Sequence, residues 1–540
     1  MVAALFLWSR VETRYNLLTP NRFVRLLVML VRVFSAALSG VDAIEVDVEV
    51  NHIKRDKFTM ALVGLPDAAV RESTQRVMSA IGNSGLLFGK GINTVNLAPA
   101  DLKKEGPSFD LPIALAMAAV GMEKEIPFFD RYCIVGELAL DGAVRSVKGV
   151  ISIALEAKRR GRTRLIVPTM NAEEAAVVEG IEVYGVDSLY QAWLLITGDL
   201  LQAPLSIDRD AFMQGQVRTL DDLCDVKGQH QVKRALEVAA AGGHNILMVG
   251  PPGTGKSMIA KRIATILPDM KIEEAIETTK IHSVSGKLNG TGSFIVSRPY
   301  RSPHHTISDA GLLGGGTNPR PGEVSLAHNG VLFLDELPEF RRQTLEVLRQ
   351  PLEDREVCIS RAAGAVTFPC NCMLVAALNP CPCGYYGDLK RECRCSPPQI
   401  EKYRQRISGP LLDRIDIHVE VPMIEYRELR TGDGGERSEE VKKRVVDARQ
   451  RQQSRYAEHE GIHSNSMLPS RLMATYCDID SETSNYLEQT MSELNFSARA
   501  HDRILKVART LADLEGCENI GTQHVMEAVQ YRTLDRKLMM

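Results

Sequence analysis

This chain of 540 residues has almost no excess of charge of either sign, and it has few long apolar runs. The formal net charge is −3, so no basic field covers the molecule, and any surface for nucleic acid must be local. The run VRLLVMLVRVF contains Arg25 and Arg32 and is too short to span a bilayer. No basic region precedes the apolar first residues, as it would in a signal peptide. We therefore predict a cytoplasmic protein with no membrane partner.

A regular disulfide framework is also missing. The chain has 11 cysteines, an odd number, and they crowd between Cys358 and Cys395. A secreted disulfide-bonded protein would spread its cysteines and would follow a signal peptide. Crowded thiols in an intracellular enzyme indicate metal binding, and two Cys-x-Cys pairs could close a tetrahedral Zn²⁺ site. A reduced thiol loop is the alternative for these four residues, which are Cys381, Cys383, Cys393 and Cys395.

The length predicts about three domains, because one hydrophobic core cannot serve so long a chain. Valine-rich strands alternate with helical spacing in the first third, which indicates a compact α/β domain. Strands and helices then alternate as a parallel nucleotide-binding sheet requires, and the remainder looks helical. The predicted boundaries are 1–30 for a non-native or disordered extension, 31–197 for the α/β domain, 198–219 for a linker, 220–422 for the nucleotide-binding core and 423–540 for the helical domain.

The strongest signal is the segment NILMVGPPGTGKSMIAKRIA, residues 245–264. A buried strand leads into a glycine-rich loop and then into a helix, so backbone N–H groups and the helix N-terminus can bind phosphate. We expect Lys256 to reach the β- and γ-phosphates of ATP and the Ser257 hydroxyl to bind Mg²⁺. The predicted nucleotide loop comprises Gly250, Pro251, Pro252, Gly253, Thr254, Gly255, Lys256 and Ser257.

Polar residues at the ends of two further strands complete the predicted site. The segment GVLFLDELPEF places Asp335 and Glu336 after an apolar strand. Asp335 can hold Mg²⁺, and Glu336 can orient and deprotonate the attacking water. Asn379 ends the strand NCMLVAALNP and can position that water or sense the γ-phosphate. A simple turn before Pro380 is the alternative interpretation of Asn379.

Two arginines distant from the glycine-rich loop are candidates for contacts with nucleotide. Arg414 lies between a helix end and a strand in GPLLDRIDIHVEVP. In a ring it could reach a neighbouring subunit's ATP and raise the rate by about 10³–10⁵, whereas local pairing with Asp413 or Asp416 is the alternative. Arg499 begins a C-terminal helix and could contact the γ-phosphate, with Arg503 one turn on as the alternative.

Together these residues resemble the AAA+ superfamily, and the chain after about residue 29 resembles the ComM/YifB family of magnesium-chelatase-like AAA+ proteins. The resemblance implies a hexameric ATPase with a Lon-protease-like α/β N-terminal domain, a central P-loop domain with a parallel sheet and a C-terminal helical lid. It also implies a motor for branch migration of DNA junctions in homologous recombination, notably in natural transformation. It assigns Lys256, Ser257, Asp335, Glu336, Asn379, Arg414 and Arg499 to the nucleotide machinery. The strings that carry it are VNLAPADLKKEGPSFDLPIAL, RPYRSPHHTISDAGLLGGGTNPRPGEVSLAHNGVLFLDELPEF, NPCPCGYYGD and SARAHDRILKVARTLADLEG.

The Lon-like region departs from Lon at the catalytic positions. Gly106-Pro107-Ser108 falls where Lon carries its nucleophile, but Ile151 stands where Lon needs its lysine, and Lys148 is three residues away. A serine without a base to activate it is a weak nucleophile. We therefore expect a non-proteolytic scaffold or a DNA-binding accessory domain.

Two basic segments could meet DNA phosphates inside a ring, which would give sequence-independent, salt-sensitive binding. The first, residues 299–322 with the arginine just before it, fits the helix-2 insertion of this AAA+ clade. The second is the hairpin around EDREVCISRAAGAVTF. Pairing with acids at subunit interfaces is the alternative. The candidates are Arg298, Arg301, His304, His305 and Arg320 on the first segment, and Arg355 and Arg361 on the second.

The predicted function is an ATP-driven ring that remodels DNA junctions, forks or single strands. A magnesium-chelatase-like or protein-remodelling motor is the alternative, although the chain has no D-x-S-x-S adhesion motif and no acidic linker. An ATP-dependent protease is disfavoured by Ile151. A scaffold without turnover is disfavoured because Glu336 and Arg414 are both present.

Overall fold

The computed structural model describes residues 28–214, 221–288, 294–316, 319–361, 364–388, 391–424 and 435–534. An N-terminal α/β domain is followed by a nucleotide-binding core and a helical C-terminal region. The predicted extension, residues 1–30, lies outside the described residues except for its last three, which belong to a strand. The first domain therefore begins earlier than the sequence predicts. None of the helices in these ranges is long and apolar enough to cross a membrane.

The N-terminal domain consists of a mixed sheet with helices on both faces. Its strands are β1 (Val28–Ser39), β2 (Asp42–Lys54), β3 (Thr59–Val63), β4 (Gly91–Ala98), β5 (Tyr132–Ile134), β6 (Glu137–Leu138), β7 (Val144–Arg145), β8 (Arg164–Pro168) and β9 (Glu182–Val186). Its helices are α1 (Ala68–Asn83), α2 (Asp110–Gly121), α3 (Val150–Arg159), α4 (Thr169–Ala176) and α5 (Leu189–Thr197), and α6 (Arg209–Gln214) lies in the predicted linker.

Seven strands of this domain form one sheet in the order β3-β4-β2-β1-β5-β8-β9. β1 and β2 make a long antiparallel hairpin, whereas β5, β8 and β9 run parallel. Val46, Val48 and Val50 are fully buried and alternate with more exposed residues, as the two-residue period of a strand requires. Helices α1, α2 and α5 pack on one face and α3 and α4 on the other.

The nucleotide-binding core contains a second, entirely parallel sheet. Its strands are β10 (Ile246–Val249), β11 (Tyr300–Arg301), β14 (Val331–Leu334), β17 (Met373–Leu378) and β18 (Ile417–Glu420), and two small hairpins are added by β12 (Gly314–Gly315) with β13 (Arg320–Pro321) and β15 (Glu356–Arg361) with β16 (Gly364–Pro369). The helices are α7 (His230–Gly242), α8 (Lys256–Ile266), α9 (Ile272–Ser285), α10 (Asp309–Leu313), α11 (Glu323–Leu326), α12 (Arg342–Glu346), α13 (Arg349–Asp354), α14 (Pro397–Arg404) and α15 (Gly409–Leu412).

The order of the parallel sheet is β11-β14-β17-β10-β18. The strand before the glycine-rich loop, β10, therefore lies between β17 and β18, and β17 separates it from β14. All residues of β10, β14 and β17 are buried, which is typical of a sheet covered on both faces. The loops that follow these three strands consequently meet at one edge.

The C-terminal region is helical, as predicted. It comprises α16 (Ser438–Arg455), α17 (Met473–Tyr476), α18 (Ser481–Leu494), α19 (Ala498–Glu515) and α20 (Thr522–Gln530). Buried residues of α16, α19 and α20 share one apolar cluster with α7, α8 and β10. The helical lid is thus packed on the nucleotide-binding core through a continuous core.

The N-terminal domain packs on the nucleotide-binding core through α3, α4 and α9, which share an apolar cluster. Ser283 in α9 accepts a hydrogen bond from the Gly149 N–H at 2.8 Å and donates one to the buried Glu174. Lys280 in the same helix pairs with Asp42 at 2.6 Å. The turn between β1 and β2 also packs on the hairpin of β15 and β16, where Val41 joins the apolar cluster of the core.

Candidate nucleotide-binding site

The glycine-rich loop connects β10 to α8, and its conformation depends on glycine. Gly253 and Gly255 have φ angles of 82° and 84°, in the left-handed region that favours glycine. A Cβ on Gly250 would lie 2.3 Å from the carbonyl oxygen of Val421, so this position also needs glycine. Gln229 donates to the Thr254 carbonyl at 3.0 Å. Sequence patterns did not single out Gln229, because its contact spans 25 residues.

Lys256, the first residue of α8, lies under this loop and is largely buried. Its amine donates to the carbonyls of Gly250 and Pro251 at 2.7 and 2.8 Å and to the Asn379 side-chain oxygen at 3.1 Å. Burial lowers the pKa of Lys256 from its ordinary 10.5. The structure therefore brings together the predicted lysine and the predicted polar residue after β17.

The predicted Mg²⁺ ligands are also in contact. The Ser257 hydroxyl donates to Asp335 Oδ2 at 2.5 Å, and the Glu336 N–H donates to Asp335 Oδ1 at 2.9 Å. Two oxygen ligands next to each other around octahedral Mg²⁺ are about 2.9 Å apart, so a small adjustment of this pair fits the ion. The strand order explains the convergence, since β10 and β14 both end at this edge.

Glu336 lies beside the segment that was predicted to contact DNA. Its side chain is 53% exposed, and its Oε2 atom is 3.6 Å from His305 Nδ1. The His305 ring packs against the ring of His304, with 4.1 Å between centroids. The sequence predicts contacts to DNA phosphates for both histidines, and the structure places His305 beside the predicted catalytic carboxylate as well. A local sequence pattern does not predict this contact. His305 follows β11 and Glu336 follows β14, and the pairing of these two strands brings the residues together.

The two predicted nucleotide-contacting arginines lie together at the joint between the sheet and the lid. Arg414 pairs with Glu353, rather than with Asp413 or Asp416, and its side chain is 12% exposed. Arg499 Nη1 is 3.9 Å from Asp413 Oδ2, and its side chain is 66% exposed. Within the described residues, no hydrogen bond or ion pair joins either arginine to the glycine-rich loop.

Arg503, the alternative to Arg499, has a structural partner. Its guanidinium pairs with Asp416, whose side chain is 2% exposed. Burial alone would raise the pKa of Asp416, but Arg503 and His244 hold it well below its ordinary range. Because this pair is enclosed between core and lid, Arg503 is not available for a phosphate in this structure.

Two of the predicted DNA-contacting arginines are engaged within the protein, which corrects their interpretation. Arg298 is 15% exposed, donates to the carbonyl of Asn329 at 2.7 Å and pairs with Glu274 at 3.0 Å. Arg355 donates to the Asn371 side chain at 2.8 Å, and burial lowers its pKa to about 10. Both guanidinium groups support the core and are not free for phosphate.

The other candidates remain at the surface to different degrees. Arg301 pairs with Glu323 at 2.6 Å and is 32% exposed. Arg320 and His304 are exposed. The side chain of Arg361 lies outside the described residues. The predicted DNA contact therefore remains a prediction for these four positions.

The four predicted zinc ligands come together after β17. The sulfur atoms of Cys381 and Cys383 are 3.4 Å apart, and the sulfur of Cys393 is 3.7 and 3.6 Å from them. With Cys395, all four sulfur atoms lie within 4.8 Å of one another. Four Zn–S bonds of 2.3 Å in a tetrahedron would separate sulfurs by about 3.8 Å.

The region that corresponds to the Lon active site does not assemble a serine–lysine pair. Ile151 is fully buried, and its N–H donates to Glu174 at 3.0 Å. The Lys148 side chain lies against Gly286 of the nucleotide-binding core. Ser108 therefore has neither of these residues as a base.

Comparison with known families covers most of the chain. The family described as "Magnesium chelatase, subunit ChlI" matches residues 222–429. "Subunit ChlI of Mg-chelatase" matches 47–171, and "Magnesium chelatase, subunit ChlI C-terminal" matches 435–532. These ranges fall in the nucleotide-binding core, the N-terminal domain and the helical lid.

Relatives of similar length match nearly end to end. The chain is 44% identical to "Uncharacterized protein YifB" of Escherichia coli over 509 residues, which are 94% of this chain and 97% of the relative. It is 43% identical to "Competence protein ComM" of Haemophilus influenzae over 509 residues, 94% and 98% of the two chains. A shorter match, 31% over 148 residues, covers 26% of this chain and 26% of Lon protease 2 of Bacillus subtilis.

The parallel sheet, the glycine-rich loop and the acidic pair define a P-loop ATPase of the AAA+ superfamily with a Lon-like N-terminal domain. Within that class, the chain belongs to the ComM/YifB family of magnesium-chelatase-like AAA+ proteins. The predicted family and fold class are thereby confirmed. The predicted cytoplasmic location stays a prediction.

Proposed function

We propose that this chain forms a ring, in which six copies hydrolyse ATP and drive branch migration of DNA recombination junctions, as in natural transformation. The observation that carries the ATPase part is the contact of Lys256 with Asn379 and of Ser257 with Asp335 at one sheet edge. The DNA part rests on the 43% identity to a relative named "Competence protein ComM" and on the exposed basic residues near the site.

The residues of the site have distinct proposed roles. The amine of Lys256 exchanges its two carbonyl contacts for phosphate oxygens. Ser257 and Asp335 hold Mg²⁺, which neutralises charge on the phosphates. Glu336 deprotonates the attacking water and Asn379 orients it. The four clustered cysteines are the proposed ligands of one Zn²⁺.

Arg414 is proposed to act on the ATP of a neighbouring copy, after leaving Glu353. Arg414→Ala should keep ATP binding but lose most hydrolysis, and Lys256→Ala should lose binding. Neither variant should be active alone. In a mixed ring, however, some sites combine the intact glycine-rich loop of an Arg414→Ala subunit with the intact Arg414 of a neighbouring Lys256→Ala subunit. Random mixing at equal amounts should restore about a quarter of the wild-type ATPase rate. A mixture that stays inactive while still forming rings would contradict a role in trans.

Movement of DNA is tested directly with a synthetic four-way junction, labelled so that branch migration releases a product strand pair. We expect ATP-dependent product from the wild type and none from Lys256→Ala or Glu336→Gln. Glu336→Gln should retain ATP and junction binding, which separates loss of turnover from misfolding. If ATP is hydrolysed but no junction, fork or single strand moves or stimulates turnover, the DNA assignment fails and protein remodelling becomes the better proposal.

A further inference from the structure

We propose that Cys381, Cys383, Cys393 and Cys395 bind one Zn²⁺ and that this centre holds the glycine-rich loop and Asn379 in place for ATP. The metal would then control nucleotide affinity through the structure, without taking part in the reaction. This inference rests on the proposed ATPase function of the same site. It concerns ATP binding, so it can be tested without DNA.

The sulfur positions are those of a metal centre. The three separations of 3.4, 3.6 and 3.7 Å are close to the value of about 3.8 Å for tetrahedral thiolate zinc. The N–H of Cys395 also points at the sulfur of Cys393, at 3.5 Å.

The segment that carries these cysteines has almost no apolar core of its own. Among its described residues, 381–388 and 391–396, only Cys381 and Gly384 are buried. It contains no helix or strand in those ranges. A loop of this kind needs another source of order, and in small zinc-binding peptides a structural Zn²⁺ supplies it.

Two contacts connect this loop to the nucleotide site. A Cβ on Gly384 would lie 2.4 Å from Cδ of Pro252, so the cysteine loop packs directly on the glycine-rich loop. Asn379, which accepts the Lys256 hydrogen bond, is separated from Cys381 by Pro380 alone. The Pro380 carbonyl in turn accepts a hydrogen bond from Arg404 at 3.4 Å. The metal centre therefore lies directly beside the phosphate-binding loop.

The contact between Gly384 and Pro252 gives the glycine-rich loop a fixed support on its outer side. Without the metal, the cysteine loop would lose its order, and Pro252 and Asn379 would lose their neighbour. Binding of ATP would then have to order both loops, and the free-energy cost of that ordering would weaken the binding. We expect weaker ATP binding, by about tenfold, at the lower end of the 10- to 100-fold losses that follow removal of groups orienting metal ligands.

The first measurement is the metal content of the full-length protein. We expect one Zn²⁺ per chain, and tetrahedral thiolate absorption bands when Co²⁺ replaces it. Cys383→Ser and Cys393→Ser should lose the metal, whereas Cys358→Ser, at an exposed cysteine outside the cluster, should keep it. Full-length folded protein with no zinc and no cobalt bands, or retention of zinc by the cluster variants, would overturn the site.

The second measurement separates the metal from its coupling to ATP. Gly384→Ala keeps all four ligands but pushes the loop away from Pro252, and it should weaken binding of a fluorescent ATP analogue about tenfold. Gly387→Ala is the matched control, because Gly387 has a φ of 81° against 86° for Gly384, but a Cβ there meets nothing within 4 Å. Gly387→Ala should keep both zinc and ATP affinity. Equal effects of the two variants would overturn the coupling.

Removal of zinc from the wild type by a chelator gives an independent arm. ATP affinity should fall about tenfold and return when Zn²⁺ is added back. Unchanged affinity in the metal-free protein contradicts the inference. If zinc and ATP affinity behave as expected while junctions do not move, the proposed DNA function alone has failed.

Discussion

Glu336, the proposed base, is held in an unusual backbone conformation. Its φ is 51°, in the left-handed region that is uncommon for residues other than glycine. The Glu336 N–H donates to the Asp335 carboxylate, and the ring of His305 lies beside the Glu336 side chain. Such strain is typical of functional positions. The geometry of this carboxylate should therefore depend on His305.

His305→Ala should reduce the turnover number for ATP roughly 10- to 100-fold, because a misplaced catalytic group loses rate steeply. The affinity for ATP should change less than twofold in this proposal, since His305 contacts Glu336 and not Lys256. Steady-state kinetics and nucleotide titration would show this separation. His304→Ala is the control, because His304 packs on His305 without contacting Glu336. Equal losses in both variants would contradict a specific role for His305.

Arg499 and Arg503 are one helical turn apart and should differ sharply in their effect on stability. Arg503→Ala leaves the buried Asp416 without its cationic partner and should cost about 3–5 kcal/mol. Arg499→Ala removes an exposed residue with a weak 3.9 Å ion pair and should cost less than about 1 kcal/mol. Midpoints of urea unfolding would check this order, and a larger shift for Arg499→Ala would contradict it.

The residues of the glycine-rich loop and the acidic pair could be predicted because each motif is local. Lys256 and Ser257 follow directly from a strand–loop–helix pattern, and Asp335 follows an apolar run. The partners of Arg414 and Arg298 could not be predicted, since Glu353 and Asn329 are 61 and 31 residues away. Charge and spacing alone do not distinguish a free arginine from one bound inside the protein.

At the level of elements, α7, β10 and α19 meet around a buried histidine. His244 contacts Asp416 at 3.3 Å and Thr510 at 2.8 Å, and burial lowers its pKa below 6.5. The imidazole is therefore neutral in the folded state, despite the nearby carboxylate. In the unfolded chain the same group binds a proton with its ordinary pKa of about 6.5.

Stability should consequently fall as the pH drops below about 6.5, by up to about 1.4 kcal/mol per pH unit until the folded-state pKa is reached. Above that range His244 is neutral in both states and contributes no pH dependence. The ionised Asp416 adds a loss only below about pH 4, where the unfolded aspartate takes up a proton and the folded one does not. Unfolding by urea at pH 7.5 and 5.5, followed by circular dichroism, would measure the fall.

His244→Asn is the control for this pH effect, because asparagine does not titrate. The variant should be less stable at pH 7.5 but should lose less stability on acidification than the wild type. If both proteins lose the same amount between the two pH values, other groups dominate and the assignment to His244 is wrong.

The elements themselves were largely predictable from periodicity. Apolar residues in the segment 67–85 recur at helical spacing, and this segment contains α1. Asp141-Gly142 is a typical turn sequence, and it lies between β6 and β7, which form a hairpin. The start of β1 was missed because the run before residue 31 looked like part of an extension. Pairing with β2 stabilises these residues as a strand, from Val28 opposite Ile53 onward, and that pairing is invisible in a local pattern.

For the whole molecule, the interface between the N-terminal domain and the core depends on a buried polar pair. Ser283→Ala would leave the Gly149 N–H and the buried Glu174 without their common partner, at a cost of about 1–3 kcal/mol. We expect faster proteolysis within the described part of the predicted linker, residues 198–214, because the domains separate more often. ATP binding by the core should be retained.

Lys280→Ala is the matched control on the same helix. It removes an ion pair to Asp42, whose side chain is 71% exposed, and such pairs contribute about 1 kcal/mol or less. Linker cleavage should then stay near the wild-type rate. If Lys280→Ala opens the linker as much as Ser283→Ala does, surface charge and not the buried pair holds the domains together.

The turn between β1 and β2 limits how the hairpin of β15 and β16 can travel. A Cβ on Gly40 would be 2.8 Å from the Val366 side chain, and Val41 is buried with Ile359 and Phe368. Any displacement of the hairpin base would expose this apolar contact to solvent unless the N-terminal domain moved with it. The N-terminal domain and the base of this hairpin should therefore move together as one body.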